Sequence, residues 1–587
     1  MLVFAAAIAG AWAAVTLIAG GFTLHGGPLV LSSRDPLRPL LAAAALLSAA
    51  RLLLSRAEFA RAAAVITGDR DRLATRIACA AAAGALAFSI AWSSRVAGGS
   101  DSSCYVLQAD AFAHGRATLH NSAASVLPDA PGAVFAPIGF VASRAQRAEA
   151  VPICGPGLAL LMAGPLLIHR DAVFLVVPVF AGLLVWLTFV FGRRVDDEVT
   201  GACAAVLLAC SPIFLYQAVQ PMTDVPAAAL WMAALTATAR GDRRGVIVGG
   251  ICASLAVLMR PNFALLVLPP AFLAFRLKAE TTGTDRVVSA LRRNVLFLLA
   301  MVPGFLVLLS LNAARYGAPL ASGYGDTGPL FSVAHLAPNA ARYARWLLET
   351  HTPFLLLALA APWAIARDDG TRRLALVSLA GVALLVATYL AYTVFDDWWY
   401  TRFLLPALPI LLALSVAVAL AVASRLWGSR AGRVGVAAGL CLALGPWYVH
   451  QARARHALGL QSLESRFAIA GRYAARALPA NAVVLSMQQS GSLRFHGGRD
   501  TIAWDAIRPD ALDRTIATIR SAGRVPFIVL EDAEEPAFRR RFAAERFGRL
   551  EWPPQAEIHA PVRVRVYDPA ALDRHLAGAR VATEHVR

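Results

Sequence analysis

PGLALLMAGPLLI, residues 156–168, decides the course of everything that follows it. The stretch is apolar throughout, but as a helix its thirteen residues would reach only about 20 Å, short of the roughly 30 Å hydrocarbon core of a bilayer. Pro156 and Pro165, with glycines nearby, further disfavour a straight crossing. If it crossed, Arg193 and Arg194 of GRRVDD would emerge on the external side and every later basic loop would invert. If it lies along the surface or re-enters it, the basic loops at 193–194, 240–244, 278–293, 367–373 and 425–433 all face the cytoplasm, as arginine-bearing loops do. The second course is the economical one and is the one expected.

The chain has 587 residues, 58% of them hydrophobic and only 16% charged, which is far more apolar than a soluble protein. Its apolar runs are continuous and rich in alanine and leucine, so they read as helical spans and exclude a transmembrane barrel of short alternating strands. The net charge of +18 comes from arginines scattered through short loops, a pattern of membrane topology and anionic headgroups rather than of a nucleic-acid face. Of seven cysteines, Cys79, Cys203, Cys210, Cys252 and Cys441 fall in apolar runs as small packing residues. Cys104 and Cys154 flank the large external loop and either stay free or pair in an oxidising compartment. Residues 1–20 lack a basic leader and read as a retained first span.

Spans are expected at 2–19, 40–54, 73–94, 172–191, 200–215, 225–239, 246–258, 263–277, 295–311, 354–365, 374–393, 403–423 and 434–449. The arginine-rich stretch 51–76, with Arg56 and Arg61, faces the cytoplasm on this reading. The fold expected is thus a polytopic α-helical membrane protein with about thirteen transmembrane helices and an external C-terminus. From residue 451 onward the pattern changes. Helical periodicity at 462–478, 510–522 and 535–545 alternates with strand-like runs at 482–487, 525–530 and 562–567, which predicts a small extracytoplasmic α/β domain. It carries no glycine-rich nucleotide motif.

That parity puts Asp101, Asp224, Arg260, Arg315, Asp396, Asp397 and Arg402 on one face, at span ends or in adjoining loops. Asp101, in the polar loop GGSDSSCYVLQADAFAHG (98–115), is the candidate general base, and Arg402 of DDWWYTRFLLPALP (396–409) the candidate phosphate holder. A base with a cation, rather than two balanced carboxylates, suits a transfer whose leaving group is already a phosphate. Trp398, Trp399 and Tyr400 either stack on sugar or simply form an interfacial belt. Asp224 reads as a helix N-cap that can also face the site, Arg260 of MRPNF as a headgroup contact or a ligand. Tyr105 and His114 are packing or sugar-contact residues. The loop RYGAPLASGY, with Arg315, Tyr316 and Tyr324, is a candidate lid.

In order along the chain, SDSSCYVLQADAFAHG, the PGLALL stretch, SPIFLYQAVQPMTDVPAAAL, GGICASLAVLMRP and YTRFLLPALP resemble the GT-C superfamily of integral-membrane glycosyltransferases. The branch resembled is that of dolichyl-phosphate-mannose protein mannosyltransferases and bacterial aminoarabinose lipid A transferases. The resemblance covers about 73–423, leaving 1–72 as an added hairpin and cytoplasmic loop, 73–450 as the core with external loop 95–155, and 451–587 as the external domain. It implies Asp101 as catalytic base, Asp224 as a second acidic active-site residue, and a polyprenyl-phosphate monosaccharide as donor. Asp101 is followed by serine where the protein mannosyltransferases have an acidic partner, which sets this chain apart from them.

The function expected is inverting glycosyl transfer to a cell-envelope glycan, lipid or protein on the outer face of a bacterial inner membrane. Tyr105, Arg260, Arg315, Tyr316, Tyr324, Asp397, Trp399, Tyr400 and Arg402 would contact substrate. No metal is required, although a divalent cation is compatible, and no nucleic acid is a partner. The alternatives are a secondary transporter or flippase, which calls for an internal repeat and a midplane site, and a non-catalytic envelope assembly factor.

Overall fold

The structure is a computed structural model that describes residues 9, 12–13, 16, 22–26, 29–33, 35, 37–53, 70–275, 283–427 and 430–586. A hairpin of β1 (Phe22–Gly26) and β2 (Leu29–Ser33) precedes helix α1 (Leu37–Leu53). The expected first span falls mostly outside the described residues, as do Arg56 and Arg61. Helix α2 (Arg70–Ala91) is alanine-rich, which lets it approach α5 (Val176–Val195) and α6 (Glu198–Cys210) closely, the usual basis of helix association in lipid.

The stretch after α2 corrects one expectation. Residues read as the start of a polar loop form helix α3 (Gly99–Ala113), and most of it is buried. Beyond it, β3 (Leu119–His120), β4 (Phe140–Ala142) and β5 (Glu149–Pro152) make a small antiparallel sheet in the order β3-β5-β4. A disulfide between Cys104 and Cys154 ties α3 to the far end of this excursion.

Helix α4 (Gly157–Ile168) is the stretch on which the topology turned. Its 12 residues reach about 18 Å and end at an extended His169, before a 3-10 segment, Arg170–Leu175, runs into α5. The start of α4 packs against the end of α9 (Arg243–Met259), where a Cβ on Gly157 would sit 2.6 Å from the Met259 nitrogen. The helix lies against α3 rather than extending the bundle.

The bundle continues through α7 (Pro212–Ala218), bent 65° from α6 at the Ser211–Pro212 step, then α8 (Asp224–Thr238) and α9. A 3-10 segment, Pro261–Val267, leads into α10 (Leu268–Ala274), and α11 (Gly283–Tyr316) follows. Helix α12 (Leu336–His351) is amphipathic, and beyond it come α13 (Asp369–Leu390), α14 (Ala407–Trp427) and α15 (Arg430–Ala454). Among the described residues, six helices are long and apolar enough to cross a membrane, seven if the bent α6–α7 pair is one span. The chain is therefore a polytopic α-helical membrane protein, and among the described residues six or seven long apolar helices stand against the thirteen crossings expected. Several expected spans are helices of 15 or 17 residues, or are broken by the proline-led 3-10 segments Pro261–Val267 and Pro353–Ala360.

The two ends of the bundle differ in chemistry. At one end Asp196 is paired with Arg367 and Arg433, and Arg433 also reaches Asp197 at 2.7 Å. There Arg194 donates to the Ala239 carbonyl, and Arg373 to the Phe272 and Phe275 carbonyls at 2.7 and 2.6 Å. Three of the basic loops grouped above, 193–194, 367–373 and 425–433, thus meet at one end. Asp101, Asp224, Arg260 and Arg402 gather at the other, as the non-crossing α4 requires.

The C-terminal part starts with α16 (Leu460–Ala477) and β6 (Ala482–Leu485), then α17 (Ser490–Phe495), β7 (Asp500–Ile502), α18 (Leu512–Ser521) and β8 (Val525–Glu531). Helix α19 (Glu535–Arg541), β9 (Ala556–Ile558), β10 (Val564–Tyr567), α20 (Ala570–Leu576) and β11 (Glu584–Val586) complete a six-stranded sheet in the order β11-β9-β10-β8-β6-β7. Alternation along β8 sends Phe527 and Val529 to one core, with Ala470 and Tyr473 of α16, and Ile528 and Leu530 to the other, with Ile516 and Phe538. The second core also takes in Ala123, Ala124, Val134 and Phe135, so the segment between α3 and α4 is built into this soluble domain. Asn121 locks it by donating to the Phe135 and Thr501 carbonyls at 2.9 and 2.8 Å.

Candidate active site

Helix α3 presents Asp101, Tyr105, Gln108 and Phe112 at helical spacing along one face. Each meets a partner from the bundle, which explains why a helix so rich in polar residues is buried. Asp101 lies in the first turn, where the helix dipole favours a carboxylate. The residue before the helix, Gly98, must be small: a Cβ there would come within 2.3 Å of the Phe467 ring of α16. The soluble domain therefore bears directly on the start of α3.

Arg402 sits in a 3-10 turn, Trp398–Leu404, at the mouth of α14. Its Nη2 stands 2.8 Å from Asp101 Oδ2, and its guanidinium carbon lies 5.2 Å from the Phe403 ring centre. The buried Nε has no hydrogen-bond partner among the described residues. Burial works against the charge, but Asp224 and Asp101 outweigh it and hold the guanidinium above its ordinary value. Arg402 is thus a fixed cation with a donor to spare.

One turn further along α3, the Tyr105 hydroxyl is 3.0 Å from Thr223 Oγ1, which also accepts from Arg260 Nε at 3.1 Å. Arg260 Nη2 closes on Asp224 Oδ1 at 2.5 Å, with the Asp224 side chain fully buried. Asp224 is the first residue of α8 and Thr223 holds the N-cap position, so the N-cap reading of Asp224 is corrected. Burial opposes the Arg260 charge and Asp224 overcomes it, while burial and then Asp101 push the Tyr105 phenol up and keep it a proton donor.

Asp101 and Arg402 open onto a cavity of about 830 Å³. Its walls are the start of α3, the end of α7 (Tyr216, Gln217) with the turn that follows it (Gln220, Met222), and Trp399 and Tyr400. Tyr216 stacks on Trp399 at 6.3 Å and 14°, so the aromatic wall is continuous across two elements. The roof comes from Arg455, His456, Leu463 and Glu464 around the start of α16, and from Pro561 of the β9–β10 loop. Burial pushes the Glu464 carboxyl up, Arg466 pulls it down and Glu531 pushes it up again.

Of the residues singled out from sequence, Asp101, Trp399, Tyr400 and Arg402 line this cavity, and Tyr105, Asp224 and Arg260 form the buried layer beside it. Arg315 is drawn elsewhere: its Nε donates to the Ala117 carbonyl at 2.9 Å and its Nη1 to Gln108 Oε1 at 3.0 Å, bracing α11 against α3. Tyr316 donates to the Pro152 carbonyl at 2.6 Å. Tyr324 is 53% exposed, and neither it nor Asp397 is in the lining. The roof residues Arg455, His456 and Glu464 were not anticipated. Their signal was a glutamate and a histidine at the junction between the last span and an amphipathic helix, which reads as a linker until the domain is docked.

Among the described residues one trio of metal-ligand type gathers, Glu557, His559 and His585, and it is not part of this lining.

Residues 157–313 match the family model described as the N-terminal part of the oligosaccharyl transferase STT3. Among solved structures, the chain is similar to ArnT from Cupriavidus metallidurans bound to undecaprenyl phosphate, with a TM-score of 0.51, 14% identity, and 82% of this chain and 96% of that one covered. The apo form of the same protein gives 0.50, with the same identity and coverage. An oligosaccharyltransferase from Archaeoglobus fulgidus, in complex with Zn and sulfate, gives 0.44 at 13% identity, over 78% of this chain and 69% of that one. No curated protein matches the sequence. At such identity the likeness to ArnT is one of fold.

Proposed function

We propose that the chain is an inverting glycosyltransferase that moves a monosaccharide from a polyprenyl phosphate to a cell-envelope acceptor. The observation that carries this is the Asp101–Arg402 pair on the wall of a roofed cavity with an aromatic face. The matched STT3 segment and the shared fold with ArnT, whose structure holds undecaprenyl phosphate, agree with it. On this reading the donor phosphate lies against Arg402, whose spare Nε and charge receive the negative oxygens. As the phosphate engages Arg402, the Asp101 carboxylate is released from the pair. The freed carboxylate then takes the proton of the acceptor hydroxyl or amine while that atom attacks the anomeric carbon. The bond from that carbon to the phosphate oxygen breaks, and its electron pair leaves with the polyprenyl phosphate.

Since the leaving group is already an anion, Arg402 supplies the neutralising charge and the reading assigns no metal to this step. Asp224 holds Arg260 and adds to the field at Arg402, which makes it a positioning residue; Trp399 and Tyr400 offer stacking faces to the sugar. The end of the bundle bearing Asp196, Arg194 and Arg433 is cytoplasmic by its arginines, so the cavity and the soluble domain lie outside the inner membrane. The domains are then 1–72, 73–450 and 451–587, with 451–587 serving as roof.

The test is transfer by the purified full chain, supplied with a panel of polyprenyl-phosphate monosaccharides and an envelope lipid and glycan extract. Release of polyprenyl phosphate coupled to a glycosylated product is expected. Absence of turnover across the panel, with donor bound, would overturn the reading.

A further inference from the structure

We infer that Glu557, His559 and His585 form a binding site for one zinc-class divalent cation on the outer edge of the soluble domain. The sheet itself assembles the trio. Ala556 and Ile558 of β9 point into the hydrophobic core, so Glu557 and His559, two residues apart, share the opposite face. The parallel register of β11 places His585 directly beside Glu557. The approach of the strands continues past Ile558, since the His559 amide donates to the Val586 carbonyl at 2.7 Å.

The three ligand atoms form a compact triangle. His559 Nε2 and His585 Nδ1 are 2.9 Å apart, and Glu557 Oε2 is 3.8 Å from the first and 3.7 Å from the second. A tetrahedral zinc ion with bonds of about 2.0–2.1 Å spaces its ligands about 3.3 Å apart, so the triangle needs only small adjustments to hold one, with water as fourth ligand. The donor set, two imidazoles and a carboxylate, suits zinc better than calcium or magnesium. Glu557 is also oriented as a ligand should be. Its other oxygen, Oε1, accepts from Arg565 Nε at 3.0 Å, which turns Oε2 toward the histidines. The histidine side chains are 39% and 62% exposed, so the ion has an open path.

The rival is a simple hydrogen bond, with one proton shared between the two rings. Zinc would take both of those nitrogens, each neutral ring keeping its one proton on its other nitrogen. Location gives the site a role: His559 begins the loop to β10, and Pro561 in that loop helps roof the cavity. An ion here would pin β11 to β9 and stiffen the base of the roof loop, without touching the proposed reacting groups. The inference therefore stands or falls independently of the transfer reaction.

The experiment uses the purified full chain, stripped with chelator and titrated with Zn²⁺, with metal content measured after gel filtration and thermal unfolding followed in parallel. One zinc per chain and a raised unfolding temperature are expected. His559→Gln and His585→Gln, both exposed positions, should each weaken binding by at least about 100-fold with an unchanged circular dichroism spectrum, and Arg565→Gln by about 10-fold. No zinc uptake by the unmodified chain would overturn the site. So would uptake of equal affinity in both histidine variants, which would place the metal elsewhere.

Discussion

Arg402 Nη2 stands 2.8 Å from Asp101 Oδ2, so the cation proposed to hold phosphate and the carboxylate proposed to take a proton neutralise one another before substrate arrives. The pair joins α3 to a turn at the mouth of α14. On the proposed reading donor binding separates the pair, so the carboxylate is freed only when the phosphate position is filled.

Arg402→Ala should weaken binding of polyprenyl phosphate by about 10- to 100-fold, the usual loss for a charged hydrogen bond. Arg402→Lys should recover only part of it, because an ammonium lacks the fork that serves Asp101 and phosphate together. Equilibrium binding of the lipid to purified variants measures this. Unchanged affinity would remove Arg402 from the phosphate position.

Asp224 and Arg260 are a buried pair, and removing one side leaves the other uncompensated. Asp224→Ala and Arg260→Ala should each cost about 3–5 kcal/mol, and the double variant less than their sum. Thermal unfolding of the four proteins in one detergent gives the coupling. Strict additivity would mean the contact contributes nothing.

Reduction of the Cys104–Cys154 bridge should lower stability by about 2–4 kcal/mol, because it closes a loop with a sequence separation of 50. Unfolding with and without reductant measures it, and the Cys104→Ser/Cys154→Ser protein should not respond to reductant.

His496 fits between Phe495 and Phe174, beside the Ala97 amide, where the soluble domain meets the bundle. Burial, helped by Arg170 and Arg472, lowers its pKa from 6.5 to about 4. The folded state thus favours the neutral ring. Its contribution is complete above about pH 6.5, declines as pH falls toward 4, and is gone below that. His496→Gln should flatten this window in a pH series of unfolding temperatures. An unchanged slope would show that other groups set it.

Much of this was legible in the chain. The short apolar runs at 482–487 and 525–530 became β6 and β8, which are buried on both faces, and the periodic runs at 462–478 and 510–522 became α16 and α18, where period and core face coincide. Strands β7, β9 and β11 have three residues each and carry no readable period. Helix α3 was hidden for a different reason. Ser102, Ser103 and Gln108 are buried in it, so no apolar stripe marks it, and partners far along the chain decide its burial. The same non-local cause placed Arg315 and Tyr316 in braces rather than in the cavity, and brought Glu464 and His456 over it. Asp101 and Arg402 were singled out because charge at a span end is costly unless it is used, and the structure pairs them.

The most direct measurement is single-turnover transfer by Asp101→Asn beside the unmodified protein, with donor affinity determined on the same preparations. A general base at Asp101 predicts donor affinity preserved or improved and a rate lower by about 10²- to 10⁴-fold. A rate within a few-fold of the unmodified protein would contradict the assignment and, with it, the reading of this cavity as the place where the acceptor is deprotonated.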